Sequence, residues 1–383
     1  MEIVNDVAVG NPRVLVADDQ TDILQALRLL LSDAGFQTEL VNSIDGVMDR
    51  VAAGPYDLLL MDLNYTRDTT SGREGLELLE RVRGHDRTLP IVVMTGWGSI
   101  ETAVEAMRRG ARSFVQKPWD DTTLLEVVTR EVEEGIAMRR RDARLAREQE
   151  DARMIQSALL PSVMPVVEGI DVAARWSPAS GIGGDCYDLL RFSPTRLALS
   201  IADVVGKGLP AALLMSNLQA SVRAFATSGA DPQDVVTRVN QLLCRNITTG
   251  KFVTFCYAVV DTAERHVTYA NAGHNPPILM RRDGRVARLE PTGLVLGVAA
   301  DWSYEMGRHP LEPGDRLVCF TDGITEAQSP DTEEFGEARL VATLAANRHR
   351  TPEELTAILG DAAAAWAGGA TQDDATLIVL AIR

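Results

Sequence analysis

Several features are scarce in this sequence of 383 residues, and each scarcity excludes a class of protein. The four cysteines, Cys186, Cys244, Cys256 and Cys319, show no CxxC spacing, so we expect buried reduced thiols and no disulfide framework. No apolar run approaches the roughly 18 residues that a membrane span needs, and the N-terminus lacks a secretory signal. The sequence therefore predicts a cytoplasmic protein without membrane association.

Positive charge is also scarce, because the sequence has 38 Lys and Arg against 54 Asp and Glu, for a net charge of -16. No segment carries the basic excess typical of a nucleic-acid footprint, so we expect no direct binding to nucleic acid. Lys117, Lys207 and Lys251 are the three lysines in the sequence, and two of them lie inside motifs described below. A lysine among so many arginines suggests that a compact ammonium is required, although chance explains the pattern equally well.

The length and composition are those of a protein with two or three domains. Residues 13–120 alternate five apolar runs with segments of helical periodicity, which predicts an α/β fold of flavodoxin-like (βα)5 type with a parallel sheet covered on both faces. After Pro161 the alternation becomes strand-like, and the RRDGR turn at 281–285 favours antiparallel pairing. Helical stretches at 209–226, 232–247 and 352–366 complete a second, α+β domain.

Between the two domains, residues 121–160 contain no proline and are rich in helix formers, which predicts one long helix. A heptad register through Leu124, Met138 and Leu145 is apolar at its ends and charged in its middle. The helix is therefore a candidate coiled coil, and we expect a homodimer. A solvated linker helix is the alternative.

Polar residues collect at the predicted strand ends of the first domain: Asp18 and Asp19 after strand one, Asp62 after strand three, Thr95 after strand four and Lys117 after strand five. Because the carboxyl ends of parallel strands meet at one edge, these side chains should lie together. Two carboxylates can hold a divalent cation beside Asp62, which can act as a nucleophile. The hydroxyl and the ammonium can bind the oxygens of an added phosphoryl group.

At these residues the chain resembles the response-regulator receiver family over residues 12–122, most closely in TGWGSIETAVEAMRRGARSFVQKPW. The resemblance implies that a sensor histidine kinase phosphorylates Asp62 and that Thr95 and Phe114 form a switch pair. It also implies one Mg²⁺ at Asp18, Asp19, Asp62 and the carbonyl of Asn64. The segment LNYTRDTTSGREG after Asp62 departs from the family by about five extra residues, a difference that we expect to affect phosphotransfer or phosphate lifetime.

Four acidic motifs lie in the C-terminal half: GGDCYD at 183–188, ADVVGKG at 202–208, TDG at 321–323 and DDAT at 373–376. Aspartate offers two oxygens on a short stem to hard cations such as Mg²⁺ and Mn²⁺, and a neighbouring glycine lets backbone approach closely. The motifs together predict a two-metal phosphatase centre. GGDCYD also resembles the diguanylate cyclase signature, but that interpretation leaves TDG and DDAT unexplained.

Over residues 155–383 the chain resembles the SpoIIE-like branch of the PPM-type, metal-dependent serine/threonine protein phosphatases. Further matching motifs are IQSALLP at 155–161, FVTFCY at 252–257, NAGHNPP at 271–277, LEPGD at 311–315 and FTDGITEA at 320–327. The resemblance implies a β-sandwich flanked by helices at 161–383, with 123–160 as a helical linker. It also implies two Mn²⁺ or Mg²⁺ ions, with Asp203 and the carbonyl of Val204, Asp322, Asp373 and Asp185 at the ions, and with Asp188 and Asp374 supporting them.

The general acid is unassigned, because Val205 follows the Asp203–Val204 pair where many relatives of the wider family have histidine. His274 is available, although a structural role is the commoner one for a histidine in a turn. Lys207 is a candidate either for the substrate phosphate or for packing at a helix start.

Taken together, the two resemblances imply a response regulator in which phosphorylation of Asp62 controls a serine/threonine phosphatase. Its expected substrate is a phosphorylated STAS-type anti-sigma factor antagonist. The alternative is a catalytically weak, phosphatase-like adaptor that binds a signalling partner under receiver control.

Overall fold

The structure is a computed structural model that describes residues 10–65, 72–96, 100–179, 181–247, 250–369 and 373–383. The chain divides into two compact units, Met1–Ala146 and Arg147–Arg383. Within the described ranges, no helix combines the length and the apolar composition that crossing a membrane requires. Residues 66–71, which hold most of the loop predicted to be extended, lie outside the described residues.

The first unit is built on a five-stranded parallel sheet in the order β2-β1-β3-β4-β5. Its strands are β1 Arg13–Ala17, β2 Gln37–Val41, β3 Leu58–Asp62, β4 Ile91–Thr95 and β5 Ser113–Gln116, and its helices are α1 Thr21–Asp33, α2 Ile44–Ala53, α3 Arg73–His85 and α4 Ile100–Arg108. Side chains alternate across the sheet, so Val14 and Val16 of β1 enter one core while Leu15 and Ala17 enter the other. The predicted (βα)5 fold with two covered faces is confirmed.

The long helix predicted after the sheet is present as α5, Asp121–Leu159. Leu124, Val128 and Val132, near its start, pack into the core of the first unit. Farther along, Met138 and Leu145 are about half exposed, at 52% and 47%. The helix is confirmed, whereas the coiled coil, the homodimer and the domain boundaries 12–122, 123–160 and 161–383 stay predictions.

The second unit contains two five-stranded antiparallel sheets, in the orders β13-β10-β9-β8-β7 and β12-β11-β14-β15-β6. The strands of the first sheet are β7 Cys186–Ser193, β8 Arg196–Val204, β9 Val253–Asp261, β10 His266–Ala272 and β13 Gly307–Pro310. Those of the second are β6 Ile170–Ser177, β11 Ile278–Met280, β12 Val286–Arg288, β14 Arg316–Phe320 and β15 Ala375–Ile382. Ile201 and Ile378, from the inner faces of the two sheets, share one core, as the predicted β-sandwich requires.

Helices flank both sides of this sandwich. They are α6 Leu209–Phe225, α7 Pro232–Asn246, α8 Asp322–Thr325, α9 Gly336–Asn347 and α10 Pro352–Trp366. Leu218 of α6 and Val239 of α7 pack into the shared core, while Leu344 of α9 and Leu359 of α10 form a second core on the outer face of β14 and β15. The three helices and the hairpin turn predicted in this half are present, but α8, α9, β6, β7 and β13 were not predicted.

Candidate functional site

The carboxyl ends of the parallel strands bring the predicted receiver residues together. Lys117 Nζ lies 2.6 Å from Asp18 Oδ2 and 2.9 Å from Asp62 Oδ2, so one ammonium bonds both carboxylates. Asp62 and Thr95 are each only 3% exposed. Burial raises the pKa of Asp62, and the charge of Lys117 opposes that shift. The edge of the sheet therefore brings the predicted nucleophile and the ammonium together in one small cavity, and Thr95 ends the neighbouring strand β4.

Asp18, Asp19 and Asp62 also meet a geometric requirement for a cation site. One carboxylate oxygen from each lies within 4.8 Å of the others, which makes this the one such group of three or more among the described residues. Asp62 Oδ1 and Asn64 Oδ1 are buried without a hydrogen-bond partner in the described part of the chain. Oxygen donors in this arrangement fit a hard divalent cation. Phe114, the predicted partner of Thr95, is 47% exposed on β5.

Asp185 is the most deeply buried carboxylate of the second acidic cluster, at 1% exposure. Its Oδ2 accepts hydrogen bonds from the hydroxyls of Thr321, at 2.6 Å, and Thr376, at 2.7 Å. Its Oδ1 is buried without a partner among the described residues. Burial raises the pKa of Asp185 well above its usual value, the charges of Asp203 and Asp374 raise it further, and the two hydroxyls oppose the shift. One carboxylate oxygen is thus fixed and the other is left available to a cation.

Asp203 lies near the end of β8, and burial together with the charges of Asp322, Asp373 and Asp374 raises its pKa to about 7. Asp322 opens α8, and burial and Asp373 raise its pKa as well. Carboxylates that repel one another so strongly are stabilised by cations, so the donor set fits divalent ions. Among the described residues, the 4.8 Å criterion that the receiver triad meets is not met by this second cluster.

Glycines permit the backbone contacts that assemble this cluster. A Cβ on Gly184 would lie 2.7 Å from the Val204 carbonyl oxygen, and one on Gly183 would lie 2.5 Å from Asp374 Oδ2. A Cβ on Gly323 would lie 2.0 Å from the Asp374 carbonyl oxygen. The glycines of GGDCYD and TDG are therefore required by close approach, since a larger residue would push the acidic segments apart.

Asp374 and Asp188, the two aspartates predicted to support the metal ligands, both bond other groups of the protein. Asp374 accepts the backbone N–H of Ala179 at 2.9 Å and that of Gly184 at 2.6 Å, and it thereby shapes the GGDCYD loop. Asp188, only 2% exposed, forms an ion pair with Arg223 of α6 at 2.6 Å. Both arrangements favour the predicted supporting roles.

Lys207, a candidate for binding the substrate phosphate, and His274, a candidate general acid, have different surroundings. Lys207 Nζ lies 3.1 Å from Asp373 Oδ2, with both side chains about half exposed. His274 is 1% exposed, its Nδ1 lies 2.9 Å from Thr254 Oγ1, and burial lowers its pKa to about 4. A buried histidine that is neutral at physiological pH favours the structural alternative, and the general acid remains unassigned.

Sequence reasoning missed several residues that support the site. Gln156, on the last turns of α5, donates to the Gly183 carbonyl at 2.6 Å and accepts from the Gly183 N–H at 3.0 Å. The Leu159 carbonyl, where α5 ends, accepts from Gln219 at 2.7 Å and from Arg223 at 3.2 Å. Gln156 lies within the IQSALLP motif, which was the available signal for it. Thr321 and Thr376 likewise lie inside the TDG and DDAT motifs, but the sequence alone does not predict that both bond Asp185.

The fold and the two acidic centres define a class: a receiver domain followed by a PPM-type serine/threonine protein phosphatase domain. The family model "Stage II sporulation protein E (SpoIIE)" matches residues 193–383, and the model "Response regulator receiver domain" matches residues 14–129. The chain is 31% identical over 239 residues to phosphoserine phosphatase RsbU of Bacillus subtilis, covering 60% of this chain and 69% of RsbU. The chain therefore belongs to the SpoIIE family of PPM-type protein phosphatases, with a receiver domain at its N-terminal side.

Solved structures agree with this fold. The RsbU and RsbW domains of Rv1364c from Mycobacterium tuberculosis match at 28% identity and a TM-score of 0.51, covering 57% of this chain and 62% of that one. The SiaA-PP2C domain of Pseudomonas aeruginosa matches at 21% identity and a TM-score of 0.55, covering 63% of this chain and 98% of that domain. The second likeness concerns the fold alone.

Proposed function

We propose that this chain removes phosphate from phosphoserine or phosphothreonine on a protein, with divalent cations, under the control of Asp62 phosphorylation. The observation that carries the proposal is the convergence of Asp185, Asp203, Asp322 and Asp373. The charge of Asp203 raises the pKa of Asp185, the charges of Asp322 and Asp373 raise that of Asp203, and the charge of Asp373 raises that of Asp322. A cluster of this kind is costly for a fold without cations, because each buried carboxylate opposes the ionisation of its neighbours.

In this proposal Asp203 and the Val204 carbonyl hold two Mn²⁺ or Mg²⁺ ions together with Asp322 and Asp373, while Asp185 lies beside them. Such a pair of ions lowers the pKa of a water molecule and stabilises the attacking and leaving oxygens of an in-line displacement. The protein's own residues fix the arrangement. Thr321 and Thr376 orient Asp185, Asp374 holds the loop that carries it, and Gly184 lets the Val204 carbonyl enter.

The substrate we propose is a phosphorylated STAS-type anti-sigma factor antagonist. The support is the likeness to RsbU, which is named a phosphoserine phosphatase. For the receiver, a sensor histidine kinase is the proposed phosphate donor, with one Mg²⁺ at Asp18, Asp19, Asp62 and the Asn64 carbonyl.

The direct test is phosphate release from a phosphoserine-carrying STAS protein by the purified chain. We expect release with Mn²⁺ or Mg²⁺ and none after chelation with EDTA, because the proposed mechanism has no protein nucleophile. Mass spectrometry of the substrate identifies the residue that loses phosphate. A metal-replete chain that binds the phosphoprotein but leaves it intact would support the adaptor alternative instead.

The route for control that we propose is α5, which contributes to the receiver core near its start and bonds the GGDCYD loop near its end. Leu124 and Val128 pack behind the receiver sheet, and Gln156 bonds the backbone of Gly183, two residues before Asp185. A shift of the helix end would therefore displace the loop that carries Asp185. The two bonds of the buried Gln156 side chain link the helix directly to the loop.

Gln156→Ala is accordingly expected to uncouple the phosphatase from the receiver. The variant loses two buried hydrogen bonds, worth together about 2 kcal/mol, so the helix no longer fixes the loop. Hydrolysis of p-nitrophenyl phosphate is measured with and without beryllofluoride, a phosphoryl mimic at Asp62. We expect the ratio of the two rates to move toward one, whichever direction the wild-type response takes.

Gln149→Ala is the matched control, because Gln149 is exposed on the same helix. It should keep the wild-type ratio. A Gln156→Ala chain that responds as the wild type does would show that control passes elsewhere.

A further inference from the structure

Tyr65 is a buried residue of the receiver cavity that none of the roles described so far uses. It lies three positions after Asp62, lines the same cavity as Asp19, Asp62 and Lys117, and is 5% exposed. Its ring packs in the apolar cluster that includes Leu63 and Leu76. The position of the ring is therefore fixed by packing, and Tyr65 is held among the residues that line the cavity.

The hydroxyl of Tyr65 is buried without a hydrogen-bond partner among the described residues. Such groups are rare in native proteins, since an unsatisfied buried hydroxyl costs about 1 to 3 kcal/mol. Asp62 lines the same cavity, and its Oδ1 is also without a partner in the described ranges, so the two oxygens do not bond each other. A bound oxygen that accepts from the Tyr65 hydroxyl would satisfy that donor, and a cation or a donor would satisfy Asp62 Oδ1.

The proton of the phenol determines which way such a bond runs. A phenol carries its proton at neutral pH, so the Tyr65 hydroxyl can donate a hydrogen bond. A donor among three carboxylates complements an oxygen-rich ligand, whose own oxygens the carboxylates would otherwise repel.

We infer that Tyr65 is a positioning residue, whose hydroxyl donates a hydrogen bond to an oxygen bound in the receiver cavity. The oxygen belongs either to the phosphoryl group on Asp62 or to a water molecule held beside the cation. Tyr65 would then set the occupancy of the cavity, and through it the signal that reaches the phosphatase. The inference rests on the proposed phosphorylation and Mg²⁺ binding at Asp62.

The test uses the full chain and the variant Tyr65→Phe, which keeps the ring and removes the hydroxyl. Mg²⁺ is titrated while the methyl groups of Met61 and Met94, which precede Asp62 and Thr95, are followed by NMR. In a second arm, beryllofluoride is titrated at saturating Mg²⁺ and its bound ¹⁹F signal is measured, with Asp62→Asn assigning the signal. Loss of one neutral hydrogen bond should weaken binding about 3- to 10-fold.

A loss in the Mg²⁺ arm assigns the oxygen to water, and a loss confined to the beryllofluoride arm assigns it to the phosphoryl group. Tyr56→Phe is the matched control, because the Tyr56 hydroxyl bonds Glu39 and no carboxylate of the cavity, so both affinities should stay at wild-type values. Thermal unfolding verifies that each variant is folded.

Unchanged affinities in a folded Tyr65→Phe chain would overturn the inference and leave the proposed function intact. A wild-type chain in which neither Mg²⁺ nor beryllofluoride moves these signals would instead overturn the receiver part of the proposed function, and the inference with it.

Discussion

Asp203→Ala is expected to reduce metal-dependent phosphate release at least about 100-fold, a loss typical of disrupting a metal site and its surroundings. Asp203 lies among Asp322, Asp373 and Asp374, whose charges contribute to raising its pKa to about 7. Removing it removes a carboxylate that would hold the ions in the proposed centre. The measurement is the rate of p-nitrophenyl phosphate hydrolysis across a Mn²⁺ titration, because saturating metal separates weak binding from lost chemistry.

Thermal unfolding in EDTA distinguishes this effect from misfolding. Without cations the buried carboxylates repel one another, so removing Asp203 relieves repulsion and should leave the metal-free chain at least as stable as the wild type. The stabilisation that Mn²⁺ gives the wild type should be largely lost in the variant. Asp301→Asn, at an exposed position outside the four motifs, should change neither quantity. An Asp203→Ala chain that keeps a tenth of the activity would contradict the proposed place of Asp203 at the ions.

In the receiver domain, the order and direction of the strands were enough to predict which side chains lie together. Apolar runs predicted the strands, and in a parallel sheet the strand ends must share an edge. The approach of Lys117 to Asp18 and Asp62 therefore followed from the strand ends alone. Tyr65 did not follow, because an aromatic residue after a strand is ordinary and its unpartnered hydroxyl is visible only with side chains placed.

In the phosphatase half, motifs predicted which carboxylates matter but not what holds them. Thr321 and Thr376 bond Asp185 across 136 and 191 positions of sequence, and no local pattern encodes a contact of that range. Helix α8 spans only Asp322–Thr325, too short for periodicity to reveal. Gln156 lay inside a quoted motif, yet only the structure brings it to Gly183.

Gly323→Ala is expected to disable the phosphatase although it removes no functional group. A Cβ at this position would lie 2.0 Å from the Asp374 carbonyl oxygen and 2.8 Å from its carbon. These atoms are backbone, so neither can rotate away as a side chain would. The segments that carry Asp322 and Asp373 must separate, and a displacement of about 1 Å near reacting groups costs about 100-fold in rate. We expect a loss of that size in p-nitrophenyl phosphate hydrolysis.

The stability of Gly323→Ala should fall by about 1 to 3 kcal/mol, as for other over-packed sites, measured by urea unfolding in EDTA. Gly229→Ala is the matched control, because no atom lies within 4 Å of the added Cβ and its φ is not positive. It should retain full activity and stability. Since Gly323 also lacks a positive φ, steric exclusion alone accounts for the expected loss. An active Gly323→Ala chain would mean that the TDG and DDAT segments need not touch for catalysis.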